Sequence, residues 1–159
     1  LLEGCVYRIG RPGKVFVIRI KPSNDLLLKI REFVEREGLK AGVILSGVGL
    51  LEKASIRNCK VLPKEYPITN ANRSFAKLNG PLEILSLSGN ISEVKGKPLV
   101  HAHITLSGVK DNDKIYTVGG HLIEGCIVFG FAEIIIMELN GIEMKKNMDD
   151  ETKTYQLFA

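Results

Sequence analysis

The chain has 159 residues, 45% of them hydrophobic, with 22 Lys and Arg against 18 Asp and Glu and a formal charge of +4. That length and apolar content predict one domain with a real core, spanning residues 1–159, and exclude a disordered or fibrous chain. The charges are interspersed, and Lys145-Lys146 is soon followed by Asp149-Asp150-Glu151, so the concentrated basic face of a typical nucleic-acid binder is absent from the sequence.

In chain order, residues 6–9 and 15–20 read as strands, with Ile9-Gly10-Arg11-Pro12-Gly13 as a hairpin turn between them. Residues 25–37 carry the one convincing helical pattern: Leu27, Ile30, Phe33 and Val34 form a stripe with charges opposite. Ser23 or Asn24 is expected to cap it and Gly38 to end it. Strands are then expected over 41–48, 54–60, 74–78, 82–94, 100–106, 114–118, 126–138 and 154–158. Short strands punctuated by Gly, Pro and Asn, without regular strand-helix alternation, predict an α+β domain with an antiparallel-rich sheet and one main helix. The run from Cys126 to Met137 is apolar on both strand faces, which predicts burial on both sides, either centrally in the domain or at a subunit contact.

Cys5, Cys59 and Cys126 are odd in number and lack any Cys-x-x-Cys spacing, so a reducing, cytoplasmic setting is expected rather than a disulfide framework. No secretory leader pattern is present, and no apolar stretch approaches the roughly 20 residues of a membrane helix, so no membrane association is expected.

The chain's three histidines all fall between positions 101 and 121. Alternation along a strand puts His101 and His103 on one face, with Val100, Ala102, Ile104 and Leu106 on the other. A polar turn at Lys110-Asp111-Asn112-Asp113 can bring His121, beside Gly119-Gly120, back on a neighbouring strand. A solvated strand face is the plain alternative for His-x-His; the clustering of every histidine favours a three-histidine metal site. Zinc is the first choice, and imidazole also suits nickel, copper and iron. Glu83, Glu124 and Glu133 are candidates for a fourth ligand or an acid-base role, and the sequence does not rank them. Glu133, set in an apolar strand, is expected to be paired, with Arg57 as one candidate partner.

Other motifs fail on their own terms. Ser46-Gly47-Val48-Gly49-Leu50-Leu51-Glu52 begins like a dinucleotide fingerprint, but Glu52 holds the third glycine position and a strand follows, so a glycine-kinked strand or turn is expected. The glutamate of a cupin metal motif would fall at Ser107 or Gly108. No Gly-x-Ser-x-Gly elbow supports a serine nucleophile.

Taken together, Leu45-Ser-Gly-Val-Gly49, Gly80-Pro-Leu-Glu-Ile-Leu-Ser-Leu-Ser-Gly-Asn90, His101-Ala-His103 and Gly119-Gly-His-Leu122 resemble the plant and prokaryote conserved (PPC) domain, over roughly residues 5–158. The two histidine elements resemble its archaeal and bacterial branch. The resemblance implies an antiparallel sheet of about seven strands with a flanking helix, a homotrimer, and a DNA-associated or regulatory binding role with DNA or a protein as partner. The AT-hook that supplies DNA contact in the plant proteins is incomplete here, because Ile9 stands where its first arginine belongs. Two further functions stay open. One is a zinc-dependent hydrolase or hydratase, since three histidines leave a coordination position for water. The other is a metal-stabilised scaffold for a small molecule or protein.

Overall fold

The computed structural model describes residues 3–159, so residues 1 and 2 of the expected domain lie outside the described residues. The amphipathic stripe forms helix α1 (Leu26–Arg36), which buries Leu26, Leu27, Ile30 and Val34. Its cap is Asp25 rather than Ser23 or Asn24. One Asp25 carboxylate oxygen accepts from the Leu28 amide at 3.0 Å and the other from the Gly125 amide at 2.6 Å, so the cap also ties the helix to a distant loop. Gly38, at φ +64°, ends it as expected.

Six strands make the main sheet: β1 (Arg11–Ile20), β2 (Gly42–Cys59), β3 (Arg73–Val94), β4 (Lys97–Lys110), β5 (Lys114–Leu122) and β6 (Ile127–Asn140). They lie in the order β1-β6-β2-β3-β4-β5, antiparallel throughout, and an extra β2–β5 pairing curls one end of the sheet back on itself. Two short strands, β7 (Lys146–Met148) and β8 (Tyr155–Leu157), form a separate hairpin. This is the α+β, antiparallel architecture with one main helix that the sequence predicts. The core joins Leu26 and Ile30 of α1 to Ile44, Leu51, Leu82, Ile104, Ile134 and Ile136 of the sheet.

Several expected boundaries move. Residues 41–48 and 54–60 are one bulged strand, β2, and 74–78 and 82–94 are one strand, β3. Gly49, at φ +151°, makes the kink in β2: a Cβ there would lie 2.5 Å from the Phe131 carbonyl oxygen. Residues 6–9 are not a strand, and Gly10-Arg11-Pro12 is not a hairpin turn. Arg11 and Pro12 instead pair with Asn140 and Leu139 at the start of β1. Because β1 is an edge strand, the missing N–H of Pro12 costs no inner ladder bond.

Strand β6 is buried on one face only within the single chain. Val128, Ala132, Ile134 and Ile136 are buried, whereas Phe129 and Phe131 are 57% and 48% exposed. The physical reason is that α1 packs against one side of the sheet, whereas the other side of β6 meets solvent at Phe129 and Phe131. Val15 and Val17 of β1 and Val48 of β2 join the two phenylalanines in leaving apolar surface in solvent.

Candidate metal centre

Strand register assembles the site. Reading across the sheet, Ser88 faces His103, His103 faces His121, His121 faces Arg57, and Arg57 faces Phe75. Directly paired residues share a sheet face, so these five side chains form one transverse row on the side away from the helix. His101 lies two residues from His103 on the same face, opposite Asn90.

The three imidazole centroids are 4.9 to 5.4 Å apart, and one ligand nitrogen from each ring lies within 4.8 Å of the others. The β4–β5 turn at Asp111–Asp113 brings His121 back, with Asn112 and Asp113 at positive φ. The Asn58 amide donates to the Gly119 carbonyl at 2.9 Å and holds β5 against β2 beside the cluster. Gly89 is the closest fit of all: a Cβ there would lie 2.1 Å from the His101 carbonyl oxygen.

The surroundings keep two of the rings neutral. Burial pushes His121 down to about 4, helped by the nearby Arg57 guanidinium, the other two histidines and Arg73. His101 is lowered by burial, then by Lys146, His103 and Arg57. A neutral imidazole offers the lone pair that metal ligation requires.

The donor set fits a tetrahedral transition metal. Ligands at about 2.0–2.1 Å stand roughly 3.3 Å apart, a closure that small rotations of rings already within 4.8 Å of one another supply. Asn90 Oδ1, buried and without a hydrogen-bond partner, sits on the residue opposite His101. An orphaned acceptor beside a ligand histidine is what a ring N–H on the non-ligating nitrogen would satisfy.

Of the three carboxylates singled out in the sequence, none joins the cluster. Glu133 is exposed on β6, opposite Arg19 and Val48, and Arg57 lies instead in the histidine row. Glu83 is exposed opposite Ser107. Glu124 is bound to Arg31 at 2.6 Å on the rim of the adjoining cleft. Among the described residues, the metal-capable cluster contains histidines alone. Sequence reasoning missed Asn90, Arg73 and Lys146, and placed Arg57 elsewhere. A polar Asn at the end of the Ser-Leu-Ser-Gly run was the available signal for the first; the cations depend on register and on the β7–β8 hairpin.

The Plants and Prokaryotes Conserved (PCC) domain matches residues 7–140. The metal-containing protein of Archaeoglobus fulgidus is 31% identical, with 98% of this chain and 100% of that one superposed at a TM-score of 0.75. The plant- and prokaryote-conserved protein of Pyrococcus horikoshii is 27% identical at a TM-score of 0.74, covering 98% and 99% of the two chains. The bifunctional protein GlmU of Synechococcus sp. (strain JA-3-3Ab) is 28% identical over 144 residues, which are 91% of this chain but 20% of that protein. The chain thus spans about a fifth of the length of the curated relatives it matches.

Proposed function

This chain belongs to the Plants and Prokaryotes Conserved domain family, and on that premise we propose that it is a homotrimeric metal-binding domain with a regulatory, DNA-associated role in the cytoplasm. One transition-metal ion per protomer, zinc first, is held by His101, His103 and His121, and the single domain extends over residues 1–159. The observation that carries the metal is the approach of three imidazole nitrogens to within 4.8 Å on one sheet face. The metal-containing relative from A. fulgidus supports it. The uncovered apolar face of β1, β6 and β2 supports assembly, because Phe129, Phe131, Val15 and Val17 are large side chains that a second copy would remove from water.

Binding is favoured over hydrolysis by what surrounds the histidines. A hydrolytic site needs a group to take up and return a proton, and the charged side chains nearest this cluster are Arg57, Arg73 and Lys146 rather than carboxylates. The zinc-dependent hydrolase or hydratase remains the second reading, because three protein ligands leave a fourth position facing a cleft. A zinc ion would supply Lewis acidity there. DNA contact through scattered Lys and Arg would be weak, sequence-tolerant and steeply salt-dependent.

The test joins three measurements on one preparation: metal content after purification without chelator, mass by light scattering, and duplex titration at low and high salt. One metal per chain, a trimer and salt-sensitive duplex binding are expected. Metal-dependent substrate turnover with no duplex binding at low salt would replace this reading with the enzyme.

A further inference from the structure

Beside the histidines lies a cleft of about 870 Å³, within the range of small-molecule sites. His101, His121, Arg57, Arg73 and Lys146 line it together with Phe75. Its lining charge is mostly positive: Glu124, the carboxylate at its rim, is paired with Arg31. The ion pairs among the described residues are Lys29–Glu32, Arg31–Glu124 and Lys145–Glu143, so Arg57, Arg73 and Lys146 have no carboxylate partner. All three are half-buried, which makes an uncompensated charge expensive. A divalent ion held by three neutral imidazoles would add to the positive charge instead of cancelling it.

We infer that this cleft binds a small oxyanion, a carboxylate or phosphate carried on a short organic skeleton, clamped by Arg57 and Arg73 with Lys146 as a further cation of the lining. A guanidinium presents two parallel N–H donors that match the two oxygens of either group, so Arg is the side chain suited to that grip. Arg57 sits opposite His121, which puts the clamp beside the three histidines, so that a metal held by them would lie next to the bound anion. Phe75, Leu99 and Ile123 offer apolar surface for the skeleton. Tyr155 and Lys146, from the β7–β8 hairpin, wall the cleft and favour a compact ligand over a polymer.

The inference rests on the metal reading for the ligand's contact to the metal and not for the arginine clamp, and the two can fail separately. Inorganic phosphate and malonate are titrated calorimetrically into the 159-residue chain, zinc-loaded and zinc-free, as wild type, Arg57→Gln and Arg73→Gln. Zinc-loaded wild type is expected to bind one anion per protomer, and either substitution to weaken that by about tenfold or more while one zinc per chain is kept. If zinc does not load, the metal reading falls, and the zinc-free comparison of wild type with the two variants still decides the clamp. Equal anion binding by wild type and both variants, or no binding by wild type, overturns the inference. So does displacement of malonate by a DNA duplex at matched phosphate concentration, which would assign the cleft to nucleic acid. Circular dichroism shows whether each variant is folded, and two separate arginines keep the test decisive if one is not.

Discussion

His121 on β5 and Arg57 on β2 stand directly opposite each other where those strands close the sheet, so a ring suited to metal ligation has a fixed cation as its cross-strand neighbour. Burial and that cation together hold His121 near 4, against an ordinary imidazole value of 6.5. Between those two values the unfolded chain binds a proton at His121 that the folded, metal-free protein does not. Stability of the metal-free protein is therefore expected to be full above about pH 6.5 and to fall as pH drops toward 4. Burial and Lys146 make His101 add to the same slope. Thermal unfolding in chelator across this window checks it, and His121→Gln should flatten the curve. A flat wild-type profile would show that the ring is not held neutral.

Removing a ligand separates the metal from the fold. His103 is exposed, so His103→Ala should leave the metal-free protein's unfolding temperature nearly unchanged while stoichiometric zinc binding is lost. Asn90→Leu makes a finer distinction. The buried Asn90 Oδ1 has no partner in the protein, so replacing it by an apolar group should cost the metal-free form little. If that oxygen accepts the ring N–H of His101, zinc affinity should fall by about 10- to 100-fold. Competition with a zinc chelator measures both.

How much of this was legible in the sequence depended on whether the information was local. The α1 stripe, the Gly38 stop and the shared face of His101 and His103 follow from periodicities of 3.6 and 2, and the structure has them. The cap went to Asp25 because its second oxygen reaches Gly125, a partner about a hundred positions away that no local pattern reveals. Residues 6–9 look like a strand but find no neighbour to pair with. The site divides the same way. Its histidines cluster in sequence, whereas Arg57, Arg73 and Asn90 reach it only through the β2–β5, β2–β3 and β3–β4 registers. Glu133 drew attention by its apolar flanks, yet its side chain is exposed, on the same sheet face as Arg19 of the neighbouring strand.

The uncovered apolar face of β1, β6 and β2 gives the assembly prediction. Phe129 and Phe131 are 57% and 48% exposed in the single chain, so Phe131→Asp should not disturb its core. Burying a phenylalanine at a subunit contact contributes about 1.5–3 kcal/mol, and an unpaired carboxylate in its place costs more. The variant is expected to be a folded monomer by light scattering and circular dichroism, against a wild-type trimer. A monomeric wild type would refute assembly through this face.

Gly89 links the sequence motif to the metal centre. Its hydrogen faces the backbone of β4, and an alanine Cβ would stand 2.1 Å from the His101 carbonyl oxygen and 2.7 Å from Ala102 Cα. Those are backbone atoms in the middle of a paired strand, so no side-chain rotation relieves the clash and β3 must move away from β4. Gly89→Ala should lose about 1–3 kcal/mol of stability by overpacking. It should also weaken zinc, because forcing β3 and β4 apart at this point disturbs the β4 backbone on which His101 and His103 are mounted. Gly96→Ala, in the β3–β4 turn, is the control: its φ of +77° makes alanine unfavourable, but nothing lies within 4 Å of the added carbon. That variant should be destabilised by about 1 kcal/mol through backbone strain and keep wild-type zinc affinity. Equal zinc affinity in both variants would mean that the β3–β4 contact at Gly89 does not position the histidines.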